Sequence, residues 1–498
     1  MKTSFHKTGS HRIYTTKGII FLVGAIIIIG YLASVNILFA FAAPILFVVG
    51  YFIKRIIKDP SIAILVMFSL SFFAIGLTRL IPIPLGLGID VLLLLVYIIL
   101  FFKSFDGGNW HLKNNSLTYC TFFWALYCFL QVFNPESRSV AAWFYAIRGL
   151  ALYPFLLSPL VFLVLNRRRD FQAMINIWFG ISIFLGLYGA KQYWLGLFHF
   201  EQVWLDTEGY VTHVLWGKFT RMFSFSSDAN QYGQSMAHVA VVSIILSFGT
   251  KNFKRKTFYI LTGLASLLGM VLSGTRGAIV IPIIGFGVYF VLSKNFKVLL
   301  LGSIVGGTVM YLLVFTFVAH GLAPVRRMRT AFQSDDKSYL VRLENRANLE
   351  VYLKKRPFGG GVGSAGVWGN RFSPGTFLAD FQTDGHYVRI KAETGFVGLY
   401  LFLILHGIIV AKMIYITFTL KNKKLQNAMN GLTAGAISVL VANYSAAVTV
   451  ALPTNIILYW SMAVVYMSPL WDKGKEHPLF NQFAASKDMS KLQNLKSE

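Results

Sequence analysis

The sequence predicts an all-α fold, a polytopic transmembrane helical bundle of about 12–14 spans. Three observations predict it. The 498-residue chain is 55% hydrophobic and only 13% charged. Its apolar runs recur at roughly 17–25 residues, long enough to cross the ~30 Å hydrocarbon core. No segment has the ~10-residue alternation of a transmembrane barrel.

The elements follow in order. Met1 to Lys17 is basic and polar, and Gly18 to Val35 is apolar. A second apolar run begins at once, without an obvious small-residue cleavage site, so the first run is expected to remain as a span. Further spans are expected near 37–53, 61–79, 88–103, 116–133, 149–165, 172–197, 230–249, 257–275, 277–293, 298–319, 387–415, 428–448 and 455–470. Cys120 and Cys128 fall on one run, about 12 Å apart along a helix. That is beyond disulfide reach, so both are read as packing residues.

Lys and Arg mark alternate connections: Lys54 with Arg55, Arg167 to Arg169, Lys251 to Lys256, and Lys421 to Lys424. The positive-inside rule then puts both termini in the cytoplasm. The expected organisation is a bundle over 1–319, a large periplasmic loop over 320–386 with a surface helix at 339–355, closing spans over 387–471, and a cytoplasmic tail over 472–498. In the loop helix, Leu340, Leu343, Ala347 and Val351 recur at helical spacing and predict an apolar face.

The net charge of +26 reports topology and anionic headgroups in a membrane protein. No basic-aromatic module for nucleic acid is present. The outer side nevertheless carries more cations than the positive-inside rule predicts. They concentrate at Lys218/Arg221, Arg276, Arg326/Arg327/Arg329, Arg342/Arg346, Lys354 to Arg356 and Arg389/Lys391. An anionic ligand on that face is the natural counterpart.

Arg276 lies in Ser273-Gly274-Thr275-Arg276-Gly277, between two spans. A guanidinium there can hold a phosphate through paired hydrogen bonds. Its bland alternative is an arginine reaching the headgroups. Arg221 precedes Phe225-Ser226-Ser227-Asp228-Ala229-Asn230-Gln231-Tyr232-Gly233. There Asp228 or Asn230 is expected to cap the next helix, leaving its N-terminus suited to an anion. Lys191, at an aromatic-rich span end, is a further candidate for the anion site. Pro357-Phe358-Gly359-Gly360-Gly361-Val362-Gly363 is no P-loop; it is read either as a flexible connector or as backbone approaching a sugar or lipid.

His386 stands apart from the other histidines. It sits at the outer end of a span beside Asp384, Arg389 and Glu393. Imidazole suits proton abstraction near neutrality. Glu393 either orients His386 or pairs with Arg389 at i,i+4. No metal-ligand spacing is present, and no cofactor is expected.

These residues resemble the O-antigen ligase and polymerase superfamily. The resemblance runs over about 218–412. It rests on the Arg221 to Gly233 segment, Ser273 to Gly277, the helix with Arg342, the glycine-rich turn, and His386-Tyr387 ahead of Glu393-Thr394-Gly395-Phe396-Val397-Gly398. The family commonly has Asn after the His, where this chain has Tyr387. The resemblance implies a bundle related to the GT-C glycosyltransferases, in the bacterial inner membrane. It implies metal-independent transfer of glycan from undecaprenyl-pyrophosphate to an acceptor hydroxyl on the periplasmic face, by a polymerase or an O-antigen ligase. His386 would be the base. Arg221 and Arg276 would hold the pyrophosphate, with Arg342 a lesser candidate for the same charge. From their positions in the sequence, Arg389 is added to the binding set, and Asp228, Asn230 and Glu393 are read as supporting residues. Expected partners are the lipid-linked glycan, a glycan or lipid acceptor, membrane lipids and polysaccharide-assembly proteins.

Two other classes compete. A transporter or flippase of an anionic or lipid-linked glycan should carry polar features at the bilayer midplane, whereas these spans read as nearly charge-free. An assembly scaffold predicts that His386→Ala leaves polymer synthesis intact.

Overall fold

A computed structural model describes residues 50–80, 85–104, 114–165, 167–215, 219–295, 300, 302, 304, 306–308, 311, 315–317, 320–330, 337–383 and 385–474. The expected spans at 18–35 and most of 37–53 lie outside the described residues, as does much of 298–319. The chain divides into two compact units, Met1–Ile62 and Ala63–Glu498. The described part of the first is helical over 50–58.

The fold is all-α and polytopic. In chain order the helices are α1 (Ser61–Thr78), α2 (Gly86–Ser104), α3 (Ser116–Leu130), α4 (Val140–Ile147), α5 (Tyr153–Val164) and α6 (Arg168–Trp194). The short α7 (His199–Trp204) and α8 (Tyr210–His213) follow, then α9 (Ala229–Phe248), α10 (Phe253–Leu272) and α11 (Val280–Leu292). The second half holds α12 (Ala323–Arg329), α13 (Lys337–Leu353), α14 (Gly366–Phe372), α15 (Phe377–Asp380), α16 (His386–Thr419), α17 (Lys423–Ala442) and α18 (Thr454–Asp472). Among the described residues, five helices are long and apolar enough to cross a membrane. Helix α9 packs against α10, α11 and α17, and α18 packs against α5, α16 and α17.

The structure revises several local expectations. Strands β1 (Val214–Leu215) and β2 (Phe219–Thr220) form a small antiparallel hairpin that the sequence did not announce. The span expected at 149–165 begins earlier, because α4 continues into α5 through a π-helical turn at Arg148–Leu152. Arg148 therefore lies within an apolar span. It forms an ion pair with Asp90 on α2, and Tyr153 donates to the same carboxylate at 2.6 Å. A charge inside a span is tolerated when it is paired, so the spans are not as charge-free as the sequence reads.

The loop helix is real but presents a different face. Leu349 and Leu353 of α13 are 1% exposed and pack with Ala365, Leu378, Phe381 and Ala392. Leu343 and Val351, on the expected stripe, stay exposed. Both cysteines are buried and unbridged, as packing residues should be.

Helix α16 is broken at Gly395, whose φ of 71° is a left-handed conformation. The glycine-rich turn fills this break. A Cβ on Gly395 would lie 1.9 Å from the Pro357 carbonyl oxygen. Gly360 donates to the Ala392 carbonyl at 3.0 Å, and the Tyr127 hydroxyl donates to that of Thr394 at 2.9 Å. The break frees backbone carbonyls that need new donors. The turn is thus a packed wedge, neither a loose connector nor open backbone.

Candidate functional site: a cationic turn and a histidine joined by one loop

The turn Ser273–Gly277 is built for close packing. The Ser273 hydroxyl donates to Met270 at 2.6 Å and accepts from the Thr275 amide at 3.1 Å. Gly274 has φ +57°. Gly233 on α9 leaves room for the turn, since a Cβ there would sit 2.2 Å from Ser273 Oγ.

Arg221, 5% exposed, ties this turn to the hairpin and to α9. Its Nε donates to Ser273 O at 3.2 Å and Nη1 to Thr212 O at 3.1 Å. Its Nη2 donates to Asn230 Oδ1 at 2.7 Å and to Thr275 Oγ1 at 2.9 Å. Burial pushes the guanidinium down to about 10; Asp228 pulls it back up, and the nearby charge of Arg276 pushes it further down. Two arginines therefore stand close enough to repel. Arg327 of α12 joins them, with Nε donating to Gly274 O at 2.8 Å. Arg276 Nη1 donates to Thr330 Oγ1 at 3.3 Å.

The capping expectation resolves in favour of Asp228. Its carboxylate accepts from the amides of Asn230 and Gln231 at 2.8 and 3.0 Å, while the Asn230 side chain holds Arg221. The Ala229 amide donates to His213 Nε2 at 3.1 Å. The first N–H groups of α9 are thus consumed by Asp228 and His213, so this helix end is not open to an anion. Burial pushes His213 down to about 4, in keeping with a ring nitrogen that accepts.

His386 opens α16 and is 2% exposed. Its amide donates to the Asn443 carbonyl at 2.8 Å. Its ring meets Phe402 edge-on with centroids 5.3 Å apart, and its Nδ1 is buried without a hydrogen-bond partner among the described residues. Tyr387, the departure from the resembled pattern, donates its hydroxyl to Leu440 O at 2.6 Å. Glu393 is fully buried and takes Arg389 Nε at 3.0 Å. The i,i+4 pairing is therefore the geometry adopted, rather than a Glu393 contact to His386. Lys191 is also paired: Nζ lies 3.9 Å from Glu201 and 3.3 Å from the Phe198 ring centroid.

The loop after α17 brings the two regions together. Asn443 holds the His386 amide, and a Cβ on Gly385 would lie 2.5 Å from Tyr444 O. A Cβ on Gly277, beside Arg276, would lie 2.3 Å from Ser445 Oγ. Three consecutive residues thus touch both the histidine and the cationic turn. Arg342 lies half-buried on α13. One turn on, Arg346 reaches Tyr444, with its guanidinium 4.3 Å over the ring. Sequence reading counted Arg346 among the surplus cations but did not select it, and it missed Tyr444 and the loop. Asn-Tyr-Ser carries no charge or motif that would have flagged them. Among the described residues no group of His, Cys, Asp or Glu is arranged to hold a metal ion.

Residues 261–403 match the O-antigen ligase family. The chain carries an O-antigen ligase domain. The matched stretch runs from α10 into α16 and includes Arg276, Arg342, His386, Arg389 and Glu393. Arg221, Asp228, Asn230 and Lys191 lie before it. A comparison with curated proteins gives no match. The match and the apolar helices together support, in general terms, a membrane protein of the O-antigen ligase or polymerase type.

Proposed function

We propose that the protein transfers glycan from undecaprenyl-pyrophosphate to an acceptor hydroxyl on the periplasmic face of the bacterial inner membrane, with both termini in the cytoplasm. The observation that carries this reading is the Asn443–Ser445 loop, which packs on His386 and on the Arg276 turn at once. A base and a cationic leaving-group site must lie together for one displacement, and here one loop holds both.

In the proposed step the acceptor oxygen attacks the anomeric carbon. Its proton passes to a ring nitrogen of His386. The carbon–oxygen bond to pyrophosphate breaks with its electron pair going to the phosphate, and the anomeric configuration inverts. Arg276 meets the developing negative charge, as electrostatic stabilisation requires. Arg221, with four hydrogen bonds into the protein, fixes the turn and adds its charge from behind. Arg342 lies on the helix that faces the same loop. Arg389 and Lys191, each beside a carboxylate, serve best as framework for the site, with Glu393 anchoring Arg389.

The test is reconstitution with a lipid-linked oligosaccharide. Wild type is expected to transfer glycan, and His386→Ala and Arg276→Ala are expected to lose at least about a hundredfold in rate, in line with removal of a general base or an oxyanion ligand. A ladder of repeats would mark a polymerase, and a single block per acceptor a ligase. Full transfer by both variants would refute the proposal.

A further inference from the structure

Carboxylates pair with three cations on or next to α13 and α16. Arg389 has Glu393 at 3.0 Å, Lys391 has Glu350 at 2.9 Å and Arg356 has Glu136 at 3.1 Å. Arg346 differs. No carboxylate among the described residues pairs with it, and Glu350, one turn along α13, is turned to Lys391. Arg346 Nη1 donates to the Tyr444 hydroxyl, its guanidinium carbon lies 4.3 Å from the centroid of that ring, and its Nε is buried without a hydrogen-bond partner among the described residues. A charged N–H withdrawn from water and left unpaired is costly, so the arrangement calls for an anionic acceptor.

The position of Tyr444 says where that acceptor would lie. Its backbone carbonyl packs on Gly385, next to His386, and the following Ser445 packs on Gly277, next to Arg276. The far half of α13 is anchored by Leu349 and Leu353. The helix is therefore docked at one end and delivers Arg346 to the loop at the other. The two contacts to Tyr444 hold the guanidinium in place, and its remaining N–H groups can serve an acceptor.

We propose that Arg346 is an additional ligand for the diphosphate of the lipid-linked donor, and that Tyr444 is the residue that positions it. This rests on the pyrophosphate reading above and extends it to a residue of α13, between α12 and α14 in the chain. Arg276 and Arg346 would then approach the diphosphate from the two elements that meet at the Asn443–Ser445 loop. A diphosphate offers one phosphoryl group to each guanidinium, whereas a monophosphate offers a single group to share.

The experiment uses the full chain in detergent and measures binding of farnesyl pyrophosphate and farnesyl monophosphate, alongside transfer from a lipid-linked oligosaccharide. Wild type should prefer the pyrophosphate. Arg346→Gln should weaken pyrophosphate binding about tenfold or more, the loss expected for one charge-assisted hydrogen bond, and should leave monophosphate binding little changed. Its donor KM should rise more than its kcat falls. Arg346→Lys should recover part of the preference, and Tyr444→Phe should lose a smaller part. A merely structural Arg346 would not change the ratio of the two ligands. An unchanged ratio in Arg346→Gln, with Arg276→Gln defective, would overturn the role of Arg346 alone. If wild type binds neither ligand, the pyrophosphate reading falls and this inference with it.

Discussion

Arg389 and Arg221 are both cations withdrawn from water, and the protein treats them differently. Arg389 is matched by Glu393, a carboxylate with no exposure at all. Arg221 is held by two backbone carbonyls, an amide oxygen and a hydroxyl. The first arrangement cancels charge inside the framework. The second fixes a cation's position through neutral acceptors, with no carboxylate in contact, although Asp228 and Arg276 both act on it from nearby. A surplus of cations in the sequence therefore contains two populations, and only the second is suited to an anionic substrate.

Four changes probe that division, from the largest expected effect to the smallest. Glu393→Ala leaves the Arg389 side chain, 15% exposed, without its partner. Breaking a fully buried pair costs about 3–5 kcal/mol, which is the upper bound here, so thermal unfolding in detergent should shift downward; an unchanged midpoint would mean that the pair is not a framework element.

Acid should act on the other population through His213. Its folded value, about 4, lies below the ordinary 6.5 because of burial. A histidine whose folded pKa is depressed contributes stability that is present above its unfolded pKa. Between pH 6.5 and about 4 the unfolded state binds the extra proton, so that stability is lost as pH falls through this window, by about 3 kcal/mol at most. His213→Gln should flatten the slope, and a slope that survives the substitution would assign it to other groups.

Arg221→Lys replaces a fork that serves four acceptors with a single ammonium. The expected cost is about 1.5–3 kcal/mol, with weaker prenyl pyrophosphate binding because the Arg276 turn loosens. Stability and binding measured together should fall together. At the other extreme, Glu350→Ala removes an exposed partner of Lys391. Lys391 holds the Glu350 carboxyl below its usual range, yet exposed pairs of this kind are worth less than about 1 kcal/mol. A large loss would show that α13 docks through charge rather than through Leu349 and Leu353.

Much of this was legible in the sequence because it is local. Apolar runs marked the long helices, among them Ser61–Thr78, Ala229–Phe248 and Thr454–Asp472, and the 339–355 expectation lies within two residues of the observed Lys337–Leu353. Asp228 was recognisable as a cap because capping chemistry acts within one turn. His386 and Arg276 could be singled out because charge at a span boundary is costly. What escaped depends on contacts between distant parts of the chain. Arg148 fell just outside the span expected at 149–165, and its partner, Asp90, lies 58 positions earlier in the chain. The glycine-rich turn could not be read as a wedge without knowing that α16 breaks at Gly395. The Asn443–Ser445 loop acts through its backbone and a small hydroxyl, which leave no compositional trace. Which face of α13 is buried was settled by Ala365, Leu378 and Phe381 on other elements, not by its own periodicity.

The central claim is that His386 and Arg276 serve one displacement. It is tested most directly by a double-mutant cycle on single-turnover glycan transfer from a lipid-linked oligosaccharide, using His386→Gln, Arg276→Lys and the double variant. Groups that act as a unit give strongly non-additive losses. The double variant is expected to be little slower than the slower single variant. Losses that multiply independently, or single variants that transfer at the wild-type rate, would contradict it.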